Sequence, residues 1–390
     1  MGLPLVDLKA EYEFLKEEID ETIKEVIKST SFVNGVFVEK FEEEFASYLG
    51  VKYCICVSTG TNALYIALKS LEIGKGYDVI TTPMTFFATA EAISQTGATP
   101  VFADVEKDSY TLCPQKTKEL IEKKYRCENK ALINKKTGNI LKVLMPVHLY
   151  GQCGDMDEFL EIAKKYNLYL IEDAAQAHGA KYKRKTGEEK FAGTLGDAGC
   201  FSFYPSKNLG TYGNGGAVVT NSEVVAKRAK LLRDHCQIEK NRHIGLGWNF
   251  KINDIQAAIL SVKLKYLDQW NKRRREIKKE YDNFLKGIEE IVIPKEKKKN
   301  RHVYHIYALL VKKREELLKF LHENGIGASI HYPVPVHLQK AYKKAGYKKG
   351  DFPNAERIAY EEISLPIHPF LSTQNVEYIS KKIKEFYHGF

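Results

Sequence analysis

Apolar residues recur at helical spacing twice in the first fifty positions: Ile19, Ile23, Val26 and Ile27, then Val38, Phe41, Phe45 and Leu49. That period predicts two amphipathic helices, separated by Ser31–Gly35, where Asn-Gly signals a turn. From residue 52 the pattern changes to short apolar runs alternating with amphipathic stretches. Tyr53–Val57, Asp78–Thr82, Val101–Val105, Val143–Val147, Tyr169–Ile171 and Ala198–Phe203 read as strands. Helices are predicted over Asn62–Leu71, from about Phe86, from about Gln115 and over Met156–Tyr166. Strands separated by helices predict an α/β fold with a mainly parallel sheet covered on both faces. The polar, basic stretch 124–142 predicts an inserted hairpin or loop.

After Thr220 helices dominate, over Glu223–Leu232 and from Asp254 through Phe284. A smaller α+β unit follows: strand His302–Val311, helix Arg314–Asn324, strand Gly327–His331, then helices to the end. A boundary inside or beside the long connecting helix gives a large domain, 1–265, and a small one, 266–390.

Composition narrows the function classes. The 390 residues are 44% hydrophobic and 11% aromatic, enough for a sizeable core. No apolar run reaches membrane-spanning length, and Met-Gly-Leu-Pro-Leu-Val-Asp is not a secretory leader, so a cytoplasmic protein is expected. Seven scattered cysteines without a C-x-x-C predict reduced thiols rather than a zinc site. Net charge is +10, with basic runs at Lys272–Arg275 and Lys295–Lys299 that read as solvated faces. No nucleic-acid-binding motif accompanies them, although a positive field would attract a diphosphate-bearing substrate.

Ligands of open α/β sheets bind beyond the carboxyl ends of the strands, and four polar features fall there. Ser58-Thr-Gly-Thr-Asn62 opens a helix after a strand, which suits a phosphate on Thr61 and Asn62 or an ordinary N-cap. Phe86 follows a strand-to-loop transition, where its face could stack on a flat heteroaromatic ring. Asp173 ends an apolar strand, and a carboxylate there needs a cationic partner such as a protonated pyridine nitrogen. Gln176 could bond a ring hydroxyl; the rival reading, Glu172 or His178 in a metal site, lacks a third ligand. Finally, Lys207 lies between an apolar strand and the glycines Gly210, Gly213, Gly215 and Gly216. Desolvation there would lower its pKa and free the amine to form a Schiff base with pyridoxal phosphate, while Ser202 could bind that cofactor's phosphate. No G-x-G-x-x-G is present, which disfavours a nicotinamide dehydrogenase.

These segments resemble the DegT/StrS family of nucleotide-sugar aminotransferases. The resemblance runs from Leu3–Lys9 through Gly60–Leu64, Pro146–Gln152, Glu172–His178, Phe201–Asn208 and Asn253–Ala258 to His331–His337. It implies pyridoxal phosphate fold type I: a mainly parallel seven-stranded sheet with helices on both faces, plus a smaller C-terminal α+β domain. It implies that Lys207 holds the cofactor and shuttles protons, and that Asp173 pairs with the pyridine nitrogen. Gln176 would contact the ring oxygen, Phe86 stack on the ring, and Thr61, Asn62 and Ser202 bind the phosphate. Asn249 would reach the phosphate of a neighbouring subunit, implying a homodimer, and His331 and Tyr332 would lie near the sugar. His148 and His305 are candidate pocket residues, though for each a structural role is the expectation. No metal is implied.

The implied reaction moves an amino group from an amino acid, by default glutamate, to a nucleotide-linked keto sugar. Tyr204-Pro-Ser-Lys-Asn208 resembles members that act at C3. Action at C4 of a 4-keto-6-deoxy sugar and a non-catalytic regulatory protein of the same fold are the alternatives. Members acting as dehydratases carry histidine at the position of Lys207.

Overall fold

The computed structural model describes residues 2–129 and 131–389. Its central sheet follows a seven-strand path in the order 53–57, 216–220, 198–202, 169–173, 140–144, 77–81, 99–102. Gly216–Thr220 is antiparallel to both neighbours and the remaining pairs are parallel, as the alternating pattern predicts. Successive side chains enter different layers. Ile55 and Val57 join Ala63, Leu64 and Val225 on one face, while Cys54 and Cys56 join Phe41, Phe45 and Leu260 on the other. A sheet buried on both faces is coded by continuous apolar runs rather than alternation, which is why short runs such as Tyr53–Val57 were legible as strands.

The 124–142 insertion is a hairpin. Tyr125–Glu128 pairs antiparallel with Ala131–Asn134, which continues onto Ile140–Leu144. Buried Asp78 fixes it, accepting from Tyr125 Oη (2.8 Å), Asn134 Nδ2 (2.7 Å) and Asn139 Nδ2 (2.8 Å).

Several boundaries differ from expectation. The strand expected over Val101–Val105 is Thr99–Phe102, and that over Val143–Val147 is Ile140–Leu144. Val105 and Val147 make only isolated bridges. Helix Gly60–Ser70 begins two residues before Asn62, because Thr59 is its N-cap. The helix expected from Asp254 through Phe284 is two, Asp254–Leu264 and Leu267–Leu285, with Lys265 and Tyr266 between them.

In the C-terminal part, Tyr307–Val311 is the central strand of a three-stranded sheet, flanked by Ile291–Val292 and Glu362–Leu365. Gly327–His331 is not a strand; its apolar pattern reflects packing, and only Ser329 bridges to Ser364. Helices Leu267–Leu285, Arg314–Glu323 and Thr373–His388 enclose this sheet around Tyr281, Leu309, Leu321 and Ile379. The amino-terminal residues join it: Leu3 N–H donates to the Gly325 carbonyl and Gly327 N–H to the Leu3 carbonyl, both at 2.7 Å. Among the described residues no helix is long and apolar enough to cross a membrane.

Candidate active site

The parallel strands 77–81, 169–173 and 198–202 bring Thr82–Thr89, Asp173–Gln176 and Ser202–Lys207 to one edge of the sheet. Asp173 is buried there. Its carboxylate accepts from Thr89 Oγ1 at 2.8 Å and from the Ala175 N–H at 3.2 Å. Thr89 is itself 2.8 Å from Thr85 Oγ1, so with its proton given to Asp173 it accepts from Thr85. Burial raises the Asp173 pKa despite these bonds.

Lys207 is partly buried beyond the Tyr204-Pro205 turn, where its N–H donates to the Tyr204 carbonyl. Desolvation of the amine outweighs attraction to Asp173 and lowers its pKa to about 8. Among the described residues neither Lys207 nor Asp173 belongs to an ion pair. The amine lies near enough to the Asp173 carboxylate to be attracted by it without forming an ion pair, an arrangement suited to a ligand that partners both.

Gln176 is oriented by both ends of its amide. Its Oε1 accepts from the Tyr150 N–H (2.7 Å) and its Nε2 donates to Tyr332 Oη (3.0 Å). One amide hydrogen stays free for a further acceptor. Phe86 is 57% exposed, with its ring centroid 5.7 Å from that of Tyr332. His331 lies on the same side. Its Nδ1 is 2.8 Å from Ser364 Oγ, and its N–H donates to Glu362 at 2.6 Å. Tyr150 Oη donates to the His331 carbonyl. Burial and the Lys207 charge lower the His331 pKa to about 4, so the ring is neutral at physiological pH.

At the other end, Thr59 Oγ1 accepts the Asn62 N–H (3.0 Å) and Asn62 Nδ2 donates to Ser58 Oγ (2.8 Å). Thr59, which sequence reasoning did not single out, is therefore the cap. The first-turn N–H groups of Gly60 and Thr61 lack partners in the helix, as at any helix start. Close packing holds this turn against Ser202: a Cβ on Gly60 would lie 2.6 Å from Ser202 Cβ, and one on Gly216 would lie 2.4 Å from the Thr59 carbonyl oxygen. Gly216→Ala is therefore expected to cost about 1–3 kcal/mol of stability and to weaken retention of an anion at this turn. Thermal unfolding and cofactor titration check both effects.

Glu172 has a structural role instead. It accepts from His148 Nε2 (2.8 Å) and from the N–H groups of Gly193 (2.9 Å), Leu195 (2.6 Å) and Gly196 (2.7 Å). Every lone pair facing the protein is used, which leaves none for a metal. Glu172→Gln turns an amide NH2 toward those donors and is expected to cost about 3 kcal/mol, measured by chemical denaturation. His178 is buried against the rings of Phe201 and Phe203.

Comparison with known proteins gives this geometry a family. The description "DegT/DnrJ/EryC1/StrS aminotransferase family" matches residues 13–384. The chain belongs to that aminotransferase family. It is similar to a pleiotropic regulatory protein of Geobacillus stearothermophilus, at 41% identity over 100% of both chains. It is 38% identical to the dTDP-3-amino-3,4,6-trideoxy-alpha-D-glucose transaminase of Streptomyces venezuelae, over 98% of this chain and 96% of the other. A dTDP-3-amino-3,6-dideoxy-alpha-D-galactopyranose transaminase of Aneurinibacillus thermoaerophilus is 40% identical, over 98% and 99%. Among solved structures, S. venezuelae DesV in complex with a ketimine intermediate superposes with a TM-score of 0.91 at 37% identity, covering 99% of each chain. NtdA from Bacillus subtilis, with bound cofactor PMP, gives 0.79 at 28% identity, covering 94% of this chain and 82% of the other.

Enzymes of this family depend on pyridoxal phosphate, and this aminotransferase shares that dependence. Its residues fit the group. Asp173 is a buried carboxylate without a cation, Gln176 keeps a free donor, and the Gly60 turn packs on Ser202. Asn249 is exposed on the 234–252 segment, while the adjacent Phe250 carbonyl accepts the Ser58 N–H of the same chain at 2.7 Å. Thr89 and Asn208 were not singled out in the sequence, and His305 was expected to be structural rather than a pocket residue. Thr89 follows Thr85 by one helical turn and Asn208 adjoins Lys207, and those were the only local signals available.

Proposed function

We propose that this aminotransferase carries an amino group from an amino acid, L-glutamate, to C3 of a nucleotide-linked keto sugar. The observation that supports the reading is the proximity of a desolvated Lys207 amine and a buried Asp173 carboxylate, neither of which has an ion-pair partner among the described residues. When bound, pyridoxal phosphate supplies an aldehyde that condenses with amines and a protonated ring that takes up the electron pair left when a Cα proton departs.

The protein's own residues divide the remaining work. Lys207 would supply the amine that holds the cofactor, and its amine is free for proton transfer once the donor amino acid is bound. Freed, and with a pKa near 8, it takes a proton from the donor Cα. In the second half-reaction it returns a proton at sugar C3, leaving the amino sugar. Asp173, held by Thr89 and Ala175, would pair as a carboxylate with the protonated ring nitrogen. Gln176 would donate to the ring oxygen, and Phe86 would supply an aromatic face for the ring. Thr61, Asn62 and Ser202 receive the phosphate beside a helix N-terminus. His331 and Tyr332 contact the sugar.

The subunit is half of a homodimer in this reading. Asn249 is exposed while Phe250 packs inward beside Tyr65, and Ile244 and Leu246 are exposed on the same segment at 62% and 92%. Such an arm suits a neighbouring subunit, with Asn249 reaching that subunit's phosphate turn.

The choice of C3 is supported by the names of the Streptomyces and Aneurinibacillus relatives, both 3-amino-sugar transaminases. A panel of 3-keto and 4-keto nucleotide sugars, offered with glutamate and analysed by NMR, tests it. Amination of the 3-keto sugar alone is expected; amination of the 4-keto sugar alone would reverse the assignment. The Geobacillus relative's name favours a second reading, a regulatory protein of the same fold. Failure to aminate any member of the panel while still binding the cofactor would favour it.

A further inference from the structure

Among the described residues, the only polar side chain within hydrogen-bonding distance of Lys207 Nζ is His305, whose Nε2 lies 3.4 Å away. The opposite ring nitrogen, Nδ1, is 3.2 Å from Asn208 Oδ1. The Asn208 amide nitrogen donates to Asn271 Oδ1 (2.8 Å) and to the Val303 carbonyl (3.1 Å), which turns the amide oxygen toward His305. Asn271 is fixed in turn by donating from Nδ2 to the His178 carbonyl at 2.8 Å. An acceptor facing Nδ1 requires a hydrogen there. A neutral imidazole with hydrogen on Nδ1 carries its lone pair on Nε2. The ring therefore faces Lys207 as an acceptor.

We infer that His305 is a positioning residue for Lys207, with Asn208 setting its tautomer: the ring receives one N–H of the lysine amine and so fixes the direction of that amine's lone pair whenever the lysine is not covalently engaged. Asn208, His305 and Asn271 are all buried, so the relay is shielded from water. This deepens the proposed function and rests on Lys207 being the amine that takes the cofactor.

The sign of the effect separates this role from others. The charged or titratable groups facing the pair are Asp173 from the sheet, His178 beyond it, Arg274 from the long helix and His331 from the C-terminal part. Burial, reinforced by Lys207 and Arg274, holds the His305 pKa well below its ordinary value. The ring is thus neutral where Lys207 titrates. A neutral acceptor favours the ammonium form of its donor, so removing it lowers the Lys207 pKa further. A charged His305 would act in the opposite direction.

The test uses protein stripped of cofactor. The rate of pyridoxal phosphate uptake, followed by its visible band, is measured across pH about 6 to 10. Condensation of amine with aldehyde expels water and needs the neutral amine, so the wild-type rate should rise through about pH 8. In His305→Phe the midpoint should fall by about one pH unit. In His305→Gln, whose amide oxygen can again accept, it should return toward the wild-type value. If the Phe variant misfolds, His305→Met, apolar and adaptable, carries the same expectation. A midpoint that is unchanged or raised in the Phe or Met variant, or lowered equally in the Gln variant, would overturn the inference. Failure of the wild type to take up cofactor, or a borohydride-trapped cofactor adduct in Lys207→Ala, would instead remove the reading on which it rests.

Discussion

Lys207→Ala is expected to lose turnover by about 10,000-fold or more, because in the proposed mechanism one side chain supplies both the attachment point and the proton transfer. The loss should fall on kcat rather than on cofactor binding, since the Gly60 turn, Ser202, Gln176 and Asp173 stay in place. Borohydride should then trap no covalent adduct, although the cofactor is still bound. Stability should move the other way. The Lys207 pKa falls from 10.5 to about 8 on folding. The unfolded chain thus binds more protons between those values, and stability increases as pH rises through that window. Below about pH 8 the folded protein carries the full burden of the desolvated ammonium. The stripped Ala variant should therefore melt higher than stripped wild type at neutral pH, and the difference should shrink toward pH 10.

Asp173→Asn is the second large effect. Asparagine can keep the Thr89 and Ala175 contacts but lacks the charge that the proposed mechanism assigns to Asp173. Activity with the donor amino acid alone should drop by about 100- to 1,000-fold, as when one preorganised electrostatic group is removed from a site. The carboxyl's folded pKa is raised by burial. Stability is therefore lost as pH rises from the unfolded value through the raised folded one, and the penalty is complete above both. Stripped Asp173→Asn should accordingly melt higher than stripped wild type at neutral pH. Cofactor should close the gap for the wild type more than for the variant, because only the carboxylate gains a cationic partner. Single-turnover kinetics and thermal scans with and without cofactor check the two halves. An active Asn variant, or one destabilised without cofactor, would contradict the role given to Asp173.

The sheet was legible in the sequence because its strands are buried on both faces and read as uninterrupted apolar runs, each followed by a polar strand end. The same runs hid the exact ends: Val105 and Val147 continue the apolar pattern but leave the ladder. The C-terminal part was harder. Glu362–Leu365 has only four residues and opens with a buried carboxyl, whose pKa burial raises to about 8. No propensity argument finds such a strand.

At the site, Lys207, Asp173 and Gln176 stood out because each is a polar group interrupting an apolar context. The N-cap was misplaced by two residues because Thr59, Thr61 and Asn62 are all good capping residues, and only the structure shows Thr59 Oγ1 accepting the Asn62 N–H. His305 could not be recognised as a neighbour of Lys207. The two are 98 positions apart, and the Asn208 amide that orients the ring is itself oriented by Asn271.

Borohydride reduction of the protein as purified, followed by peptide mass mapping, tests the central claim most directly. The account predicts one pyridoxyl-phosphate adduct, on the peptide carrying Lys207, with absorbance lost in step. An adduct on any other lysine, or a protein that takes up no cofactor, would contradict it.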